Sequence, residues 1–98
     1  MWRHGNVLIA VVDAIPTDAV RRPGCVLAEG ELTGHSHRID RLGVAELWER
    51  GGMLYLDVCA ESATVVHQEH RPITLPRGCY RVWQQREYSP RAIRTVRD

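Results

Sequence analysis

The chain has 98 residues, of which 44% are hydrophobic and 26% are charged, and its formal net charge is +1. This length fits one domain with its own core, and the composition excludes a disordered, collagen-like or coiled-coil chain. No apolar run reaches the roughly 18 residues needed to cross a bilayer, and residues 1–5 do not resemble a secretory signal peptide. We therefore expect a single globular domain over residues 1–98, located in the cytoplasm and not associated with membranes.

The charged residues are unevenly distributed. Residues 1–70 contain six arginines and ten acidic residues, a net charge of −4, whereas residues 71–98 contain seven arginines and two acidic residues, a net charge of +5. The overall pI of about 7.8 lies below the value above about 9 that is typical of dedicated nucleic-acid domains. All thirteen basic residues are arginine, which is typical of a GC-rich bacterial or phage genome.

Cysteine usage gives no sign of a disulfide framework. Cys25, Cys59 and Cys79 form no Cys-x-x-Cys pair, and an odd number of thiols cannot all pair within one chain. We expect reduced, packed thiols.

The first half of the chain consists of short apolar segments separated by turn residues. Residues 7–12 are rich in β-branched side chains and predict a buried strand. Pro23 and Gly24 predict a loop over residues 17–24 with at most one helical turn. Gly51 and Gly52 join two apolar segments as a two-residue hairpin turn in which both positions tolerate a positive φ. The predicted strands here are residues 7–12, 25–28, 35–39, 45–50 and 53–58.

The second half continues the strand pattern. Residues 76–78 predict a turn, and Ser89 and Pro90 are expected to end the last long strand. Ile93 and Val96 in the tail are expected to dock as an edge strand or a helical turn. The predicted strands are residues 63–67, 73–75 and 79–88. Since no long stretch shows a 3.6-residue period, we predict an all-β fold, either a small barrel or a two-sheet sandwich with a short C-terminal tail.

Four of the five histidines form two close pairs. On a strand, residues two apart point to the same face, so the imidazoles of His35 and His37 can converge on one ion. His67 and His70 would converge if they lie in a turn after a strand. An isolated His-x-His pair is usually solvent-facing, but two such pairs in so short a chain indicate a metal site. His4, near the N-terminus, is expected to be exposed and to have no role.

The ligand types bear on the identity of the metal. Three or four imidazoles without a thiolate favour zinc, while iron, nickel, copper and manganese remain alternatives. Three histidines would leave a position open for hydrolytic or redox chemistry, whereas four would close a structural site. Glu69 is either an oxygen ligand or a hydrogen-bond partner that fixes the tautomer of a ligand imidazole. Ser36, which lies between His35 and His37, could support these two imidazoles in the same way. No residue selects a substrate, and no catalytic residue is identified.

Two segments resemble a family of small uncharacterised bacterial and phage proteins. Residues 27–37 contain the pattern TGHxH, and residues 67–90 contain HxEHxPIxLPxGxYxVxxQREYxP. The resemblance covers most of the chain, although Asn6 stands where the family usually has Asp. It implies that the two histidine motifs are important, and it implies no particular reaction.

A looser similarity connects the chain with cupins, in which histidines line a small β-barrel and hold a divalent metal. The shared features are His-x-His on a strand and a later Leu-Pro-x-Gly. Here only Asp40 is near the position where cupins have Glu, and His67 and His70 precede Leu-Pro-x-Gly instead of following it. The similarity therefore implies an architecture only.

The strand predicted over residues 79–88 offers an alternative function. Alternation places Tyr80 and Val82 in the core and Trp83 outside, near arginines. This composition is typical of surfaces that bind a partner protein or single-stranded RNA. The alternative is therefore a non-enzymatic interaction module, most simply the sheet edge of a homodimer, with nucleic-acid binding disfavoured by the near-neutral charge. Its predicted surface comprises Arg81, Trp83 and Arg86.

Overall fold

A computed structural model of the protein describes residues 1–30, 34–88 and 93–95. These residues form ten β-strands and no helix, which confirms the all-β prediction. Nothing in the described ranges forms a helix of the length and hydropathy required to span a membrane. The strands are β1 (Trp2–His4), β2 (Val7–Val12), β3 (Val20–Arg22), β4 (Val26–Glu29), β5 (Ser36–Ile39), β6 (Ala45–Arg50), β7 (Met53–Val66), β8 (Ile73–Gln84), β9 (Arg86–Tyr88) and β10 (Ile93–Thr95).

Eight of these strands belong to one antiparallel sheet. Its main path runs β1-β2-β8-β7-β5-β4, while β6 pairs with β7 and β3 pairs with β6. β9 and β10 form a separate two-stranded ribbon. Of the two alternatives predicted for the C-terminal tail, an edge strand or a helical turn, the structure therefore has a strand. Val96, Ser89 and Pro90 lie outside the described residues. The eight-stranded sheet is not closed into a barrel, so the barrel prediction is wrong.

The two longest strands, β7 and β8, determine the shape of the sheet. They pair on both sides of a register shift, with Val58 opposite Gly78 and Ser62 opposite Pro76. Three residues of β7, 59–61, therefore stand opposite one residue of β8, Arg77. The backbone N–H groups of Cys59 and Ala60 donate instead to the carbonyl of Val44. Such irregularities bend strands, and they tolerate a proline that has no N–H to donate. The strands predicted over 53–58 and 63–67 are joined in β7, which ends at Val66, because pairing resumes beyond the irregularity. The turn predicted over 76–78 lies within β8, and the strand predicted over 79–88 is divided between β8, which ends at Gln84, and β9.

The irregularity divides the sheet into two halves that share one core. The first half comprises β1, β2 and β6 with residues 53–58 and 78–84, and the second comprises β4 and β5 with residues 62–66 and 73–76. Strands that bend from one layer into another at a bulge are typical of orthogonally packed sheets. Within the part of the chain that the structure describes, fourteen buried side chains from both halves form one cluster, which includes Ile9, Leu56, Val65, Leu75 and Tyr80.

The hairpin predicted around Gly51 and Gly52 is confirmed in detail. β6 and β7 pair from Ala45 opposite Val58 to Arg50 opposite Met53. The two glycines have φ angles of 56° and 79°, which a side chain with a Cβ adopts only at a cost.

β3 lies within residues 17–24, for which the sequence predicts a loop, so the loop prediction is wrong at these three residues. This strand pairs with β6 at the margin of the sheet, and two of its three residues are exposed. Polar contacts accompany the pairing, since Arg21 forms an ion pair with Glu46 and Arg22 forms one with Glu49. An edge strand of this kind lacks the apolar pattern on which the sequence prediction depended.

Candidate metal centre

All five histidines of the chain lie in one cluster between the two halves of the sheet. The ring centroids of His37 and His67 are 4.3 Å apart, and those of His67 and His70 are 4.6 Å apart. His35 lies 5.4 Å from His67, and His4 lies 5.0 Å from His37. The two pairs that are separated by about thirty residues in the sequence are therefore brought together, as predicted.

Three of these histidines form a triad that could hold a metal ion. One ring nitrogen from each of His37, His67 and His70 lies within 4.8 Å of the others. His37 has no solvent exposure, and the Nε2 atom of His67 is also shielded from solvent. His70 is partly exposed. The triad therefore combines one fully buried ring with two residues that retain some solvent exposure.

The strand pattern explains how these rings come to face one another. His37 lies on β5 two residues before Ile39, and both side chains are buried on the same face. His67 follows β7 and continues the inward alternation of Val65. His70 lies in the segment that connects β7 to β8, as the predicted turn required.

A polar contact connects this segment to β5. The backbone N–H of Ser36 donates to Oε1 of Gln68 over 3.1 Å. The segment that carries His67 and His70 is thereby held against the strand that carries His37. Ser36 thus supports the cluster through its backbone.

His4 is buried, so the expectation that it is exposed is wrong. It is only 2% exposed, because residues 2–4 form β1 and pair with β2. Trp2 points to the same side and packs edge-on against Tyr80 at a centroid distance of 5.5 Å. Gly5 and Asn6 form the turn between β1 and β2. A Gly-Asn dipeptide between two alternating segments is a hairpin signal that the sequence contained.

Both ring nitrogens of His4 have a partner. Nδ1 lies 2.8 Å from Nδ1 of His37, and Nε2 lies 2.9 Å from the carbonyl oxygen of Arg71. Burial, followed by the proximity of His37, lowers the pKa of His4 to about 4. Its ring is therefore neutral at pH 7.

His67 is anchored in a different manner. The backbone N–H of Glu69 donates to Nδ1 of His67 over 3.0 Å. A neutral His67 in this arrangement therefore has its proton on Nε2. Binding of a metal through Nε2 requires that this proton move to Nδ1, and binding through Nδ1 requires that the Glu69 contact break.

His35 lies beside the triad and is not part of it. Its Nδ1 atom is 3.8 Å from Oε1 of Glu69, and the side chains of His35 and Glu69 are 26% and 60% exposed. The carboxylate of Glu69 is thus near His35, the one histidine of the two pairs that does not belong to the triad. The prediction that His35 is a metal ligand stays a prediction.

The donor set limits the chemistry that the triad can support. Within the described residues, the triad contains three imidazoles and no carboxylate or thiolate. Neutral ligands leave the charge of a divalent ion uncompensated, which favours ionisation of a bound water. A tetrahedral ion held by three histidines also has a fourth position available for water or substrate.

A second cluster of side chains that could hold a metal ion lies between β6 and β7, and no local sequence motif indicates it. Ligand atoms of Glu46, Asp57 and Cys59 lie within 4.8 Å of one another. Once the hairpin register is known, the alternation of side chains along β6 and β7 places Glu46, Asp57 and Cys59 on one face of the sheet. All three cysteines are free, but Cys59 is exposed, so the expectation of packed thiols is wrong for this residue.

The residues predicted to form an interaction surface lie on β8 and β9. Tyr80 and Val82 are buried and Arg81 is exposed, which confirms the alternation. Trp83 is partly buried, and the guanidinium of Arg81 lies 4.6 Å from its ring centroid. β8 pairs with β2 on one side and β7 on the other, and the homodimer stays a prediction. Arg86 lies in β9, opposite Thr95 of β10.

Fold and site together define a small all-β protein with a histidine-rich candidate metal centre. The chain belongs to the family described as "Domain of unknown function (DUF8820)", whose model matches residues 3–85. This confirms the resemblance to an uncharacterised family. No curated protein and no solved structure matches the chain.

Proposed function

We propose that the protein binds one divalent transition-metal ion through His37, His67 and His70. The convergence of these three ring nitrogens within 4.8 Å carries the proposal. Imidazole nitrogen is a good ligand for several first-row metals, and zinc is the expected ion because a site of three imidazoles suits it and it is the commonest occupant.

The position of the triad in the fold favours a metal site over a group of surface histidines that bind no metal. His37 comes from β5, while His67 and His70 come from the β7–β8 connection, so the fold must be complete before the ligands meet. Packing several imidazoles against one another with little solvent has a desolvation cost. A bound ion would offset that cost by its bonds to the ring nitrogens, and its binding would contribute to folding.

His35 decides whether the coordination is open or closed. With His37, His67 and His70 alone, the ion retains a position for water, and the site supports hydrolytic or redox chemistry. With His35 as a fourth ligand, the site is closed and structural. We propose the open arrangement, which is supported by the position of His35 beside Glu69 and outside the triad.

The first experiment measures metal content. Protein without a histidine tag is purified without chelator and analysed for transition metals. We expect about one ion per chain, and substoichiometric metal that added zinc does not restore would contradict the proposal. His37→Ala should lose the ion, and Cys59→Ser, which changes a ligand of the other cluster, should retain it.

The second experiment addresses His35. Chelator-treated protein is loaded with Co²⁺, whose visible absorption distinguishes four-coordinate from six-coordinate sites. His35→Ala should leave the spectrum and the stoichiometry unchanged if the open arrangement is correct. A shifted spectrum in His35→Ala, with the fold intact by circular dichroism, would instead support four histidine ligands, because water would replace the fourth imidazole.

A further inference from the structure

The contacts of His4 fix where the protons of two neighbouring histidines reside. A carbonyl oxygen only accepts hydrogen bonds, so the 2.9 Å contact between Nε2 of His4 and the Arg71 carbonyl requires a proton on that nitrogen. The ring of His4 is buried at 2% exposure, an environment that disfavours a charged imidazolium. With its proton on Nε2, a neutral His4 presents a lone pair at Nδ1.

This lone pair determines the tautomer of His37. The Nδ1 atoms of His4 and His37 are 2.8 Å apart, so one must donate and the other accept. Because His4 accepts, His37 donates from Nδ1. The proton of a neutral His37 is then on Nδ1, and its Nε2 atom carries the lone pair that a metal requires.

From this arrangement we infer that His4 is a positioning residue of the metal centre, which holds His37 in the tautomer and ring orientation that bind metal through Nε2. The inference rests on the proposed metal-binding function, and it assigns His4 a role distinct from that of a ligand. Metal-bound histidines commonly donate their second ring nitrogen to a carbonyl or carboxylate. Here a second histidine, itself anchored on a backbone carbonyl, occupies that position.

The contact also connects the two halves of the sheet. His4 is on β1 in the first half, whereas His37 is on β5 and Arg71 precedes β8 in the second. β1 has only three residues, and among the described strands its one pairing partner is β2. The hydrogen bonds of His4 therefore connect the N-terminal strand to two segments of the metal centre.

The first test measures the tautomer directly. Long-range ¹H–¹⁵N correlation spectra of neutral histidines distinguish a ring nitrogen that carries a proton from one that carries a lone pair. In chelator-treated wild-type protein at pH 7.5, we expect a protonated Nδ1 in His37 and a protonated Nε2 in His4. A protonated Nε2 in His37 would overturn the inference, whether or not the chain binds metal.

The second test uses two substitutions that differ in hydrogen bonding. In His4→Gln, the amide oxygen can accept from His37 and the amide nitrogen can donate to Arg71. In His4→Leu, neither contact is possible. We expect His4→Leu to weaken zinc binding by about 10- to 100-fold, the effect typical of losing such a partner, and to release His37 from the Nδ1-protonated tautomer.

His4→Gln should bind zinc within a few-fold of wild type and keep the tautomer of His37. Equal zinc affinity in folded His4→Leu and wild type would overturn the inference, as would equal losses in folded His4→Gln and His4→Leu. If His4→Leu does not fold, the wild-type tautomer and the affinity of His4→Gln still decide the question. Absence of zinc binding in wild type would refute the proposed function but leave the tautomer measurement informative.

Discussion

The histidine triad and the cluster of Glu46, Asp57 and Cys59 both bring three ligand atoms within 4.8 Å, yet their surroundings differ. The triad includes the fully buried His37, and its rings are packed among further histidines. In the other cluster, Glu46 already has a cationic partner, because Arg21 lies 2.5 Å from its carboxylate.

The thiol adds to this difference. Partial desolvation of the thiol in this otherwise exposed residue, followed by the proximity of Asp57 and Glu46, raises the pKa of Cys59. The thiolate is the form that binds metal, so a raised pKa lowers the affinity of the thiol for an ion at neutral pH. Proximity of ligand atoms is therefore insufficient to define a metal site. The ligands must also be in a form that can bind and must not be engaged by a competing charge.

The largest expected effect is the loss of metal on substitution in the triad. We expect His67→Ala and His70→Ala each to weaken zinc affinity by at least about 100-fold, because each change leaves only two of the three proposed ligands. Competition with a chromophoric chelator measures the affinity. Cys59→Ser and Asp57→Asn, the matched changes in the other cluster, should bind zinc as wild type does. Loss of zinc binding in Cys59→Ser and Asp57→Asn, with normal binding in His67→Ala and His70→Ala, would instead show that the metal binds to the cluster of Glu46, Asp57 and Cys59.

The next effect concerns stability. If the ion binds only the folded chain, zinc at about 100 times its Kd should stabilise the protein by about 2.7 kcal/mol. For a domain of this size the expected rise in Tm is roughly 10–20 °C. Thermal unfolding with zinc and with chelator measures it. A zinc-dependent rise that persists in full in folded His37→Ala would contradict the assignment of that ligand.

A smaller effect is expected at Cys59. Because its pKa is raised, the thiolate fraction at pH 8 is below that of an ordinary thiol, and the fraction increases as the pH rises towards that pKa. We expect alkylation by iodoacetamide at pH 8 to be several-fold slower than in an unstructured cysteine peptide. Peptide mass spectrometry follows Cys59 separately from Cys25 and Cys79. Alkylation faster than in the peptide would contradict the raised pKa.

The smallest effect on the metal centre is expected from Trp83→Ala. Trp83 contacts Arg81 on the side of β8 opposite Tyr80 and Val82, so metal content should not change. If the predicted homodimer uses this face of the sheet, the variant should sediment as a monomer at concentrations where wild type is dimeric. A wild-type protein that is monomeric at all concentrations would contradict the prediction of self-association.

Local patterns predicted the parts of the fold that short-range rules determine. The β2 strand and the hairpin at Gly51 and Gly52 followed from β-branched runs and a turn dipeptide. The continuity of β7 through residues 59–61 did not, because a register shift depends on how two strands pair and is not visible in either strand alone. β3 was missed for a related reason, since its pairing with β6 involves exposed charged residues.

An all-β chain, with His35, His37, His67 and His70 in two pairs at the spacing of ligands, follows from the amino-acid sequence alone. Which of these histidines form the triad, and that His4 lies against His37, depends on the folded chain. Alternation and turn residues act over a few positions and can therefore be read locally. The contact between β1 and β5 joins two strands that are not neighbours in the sheet, so it depends on how the intervening strands pair and on the packing of the whole core.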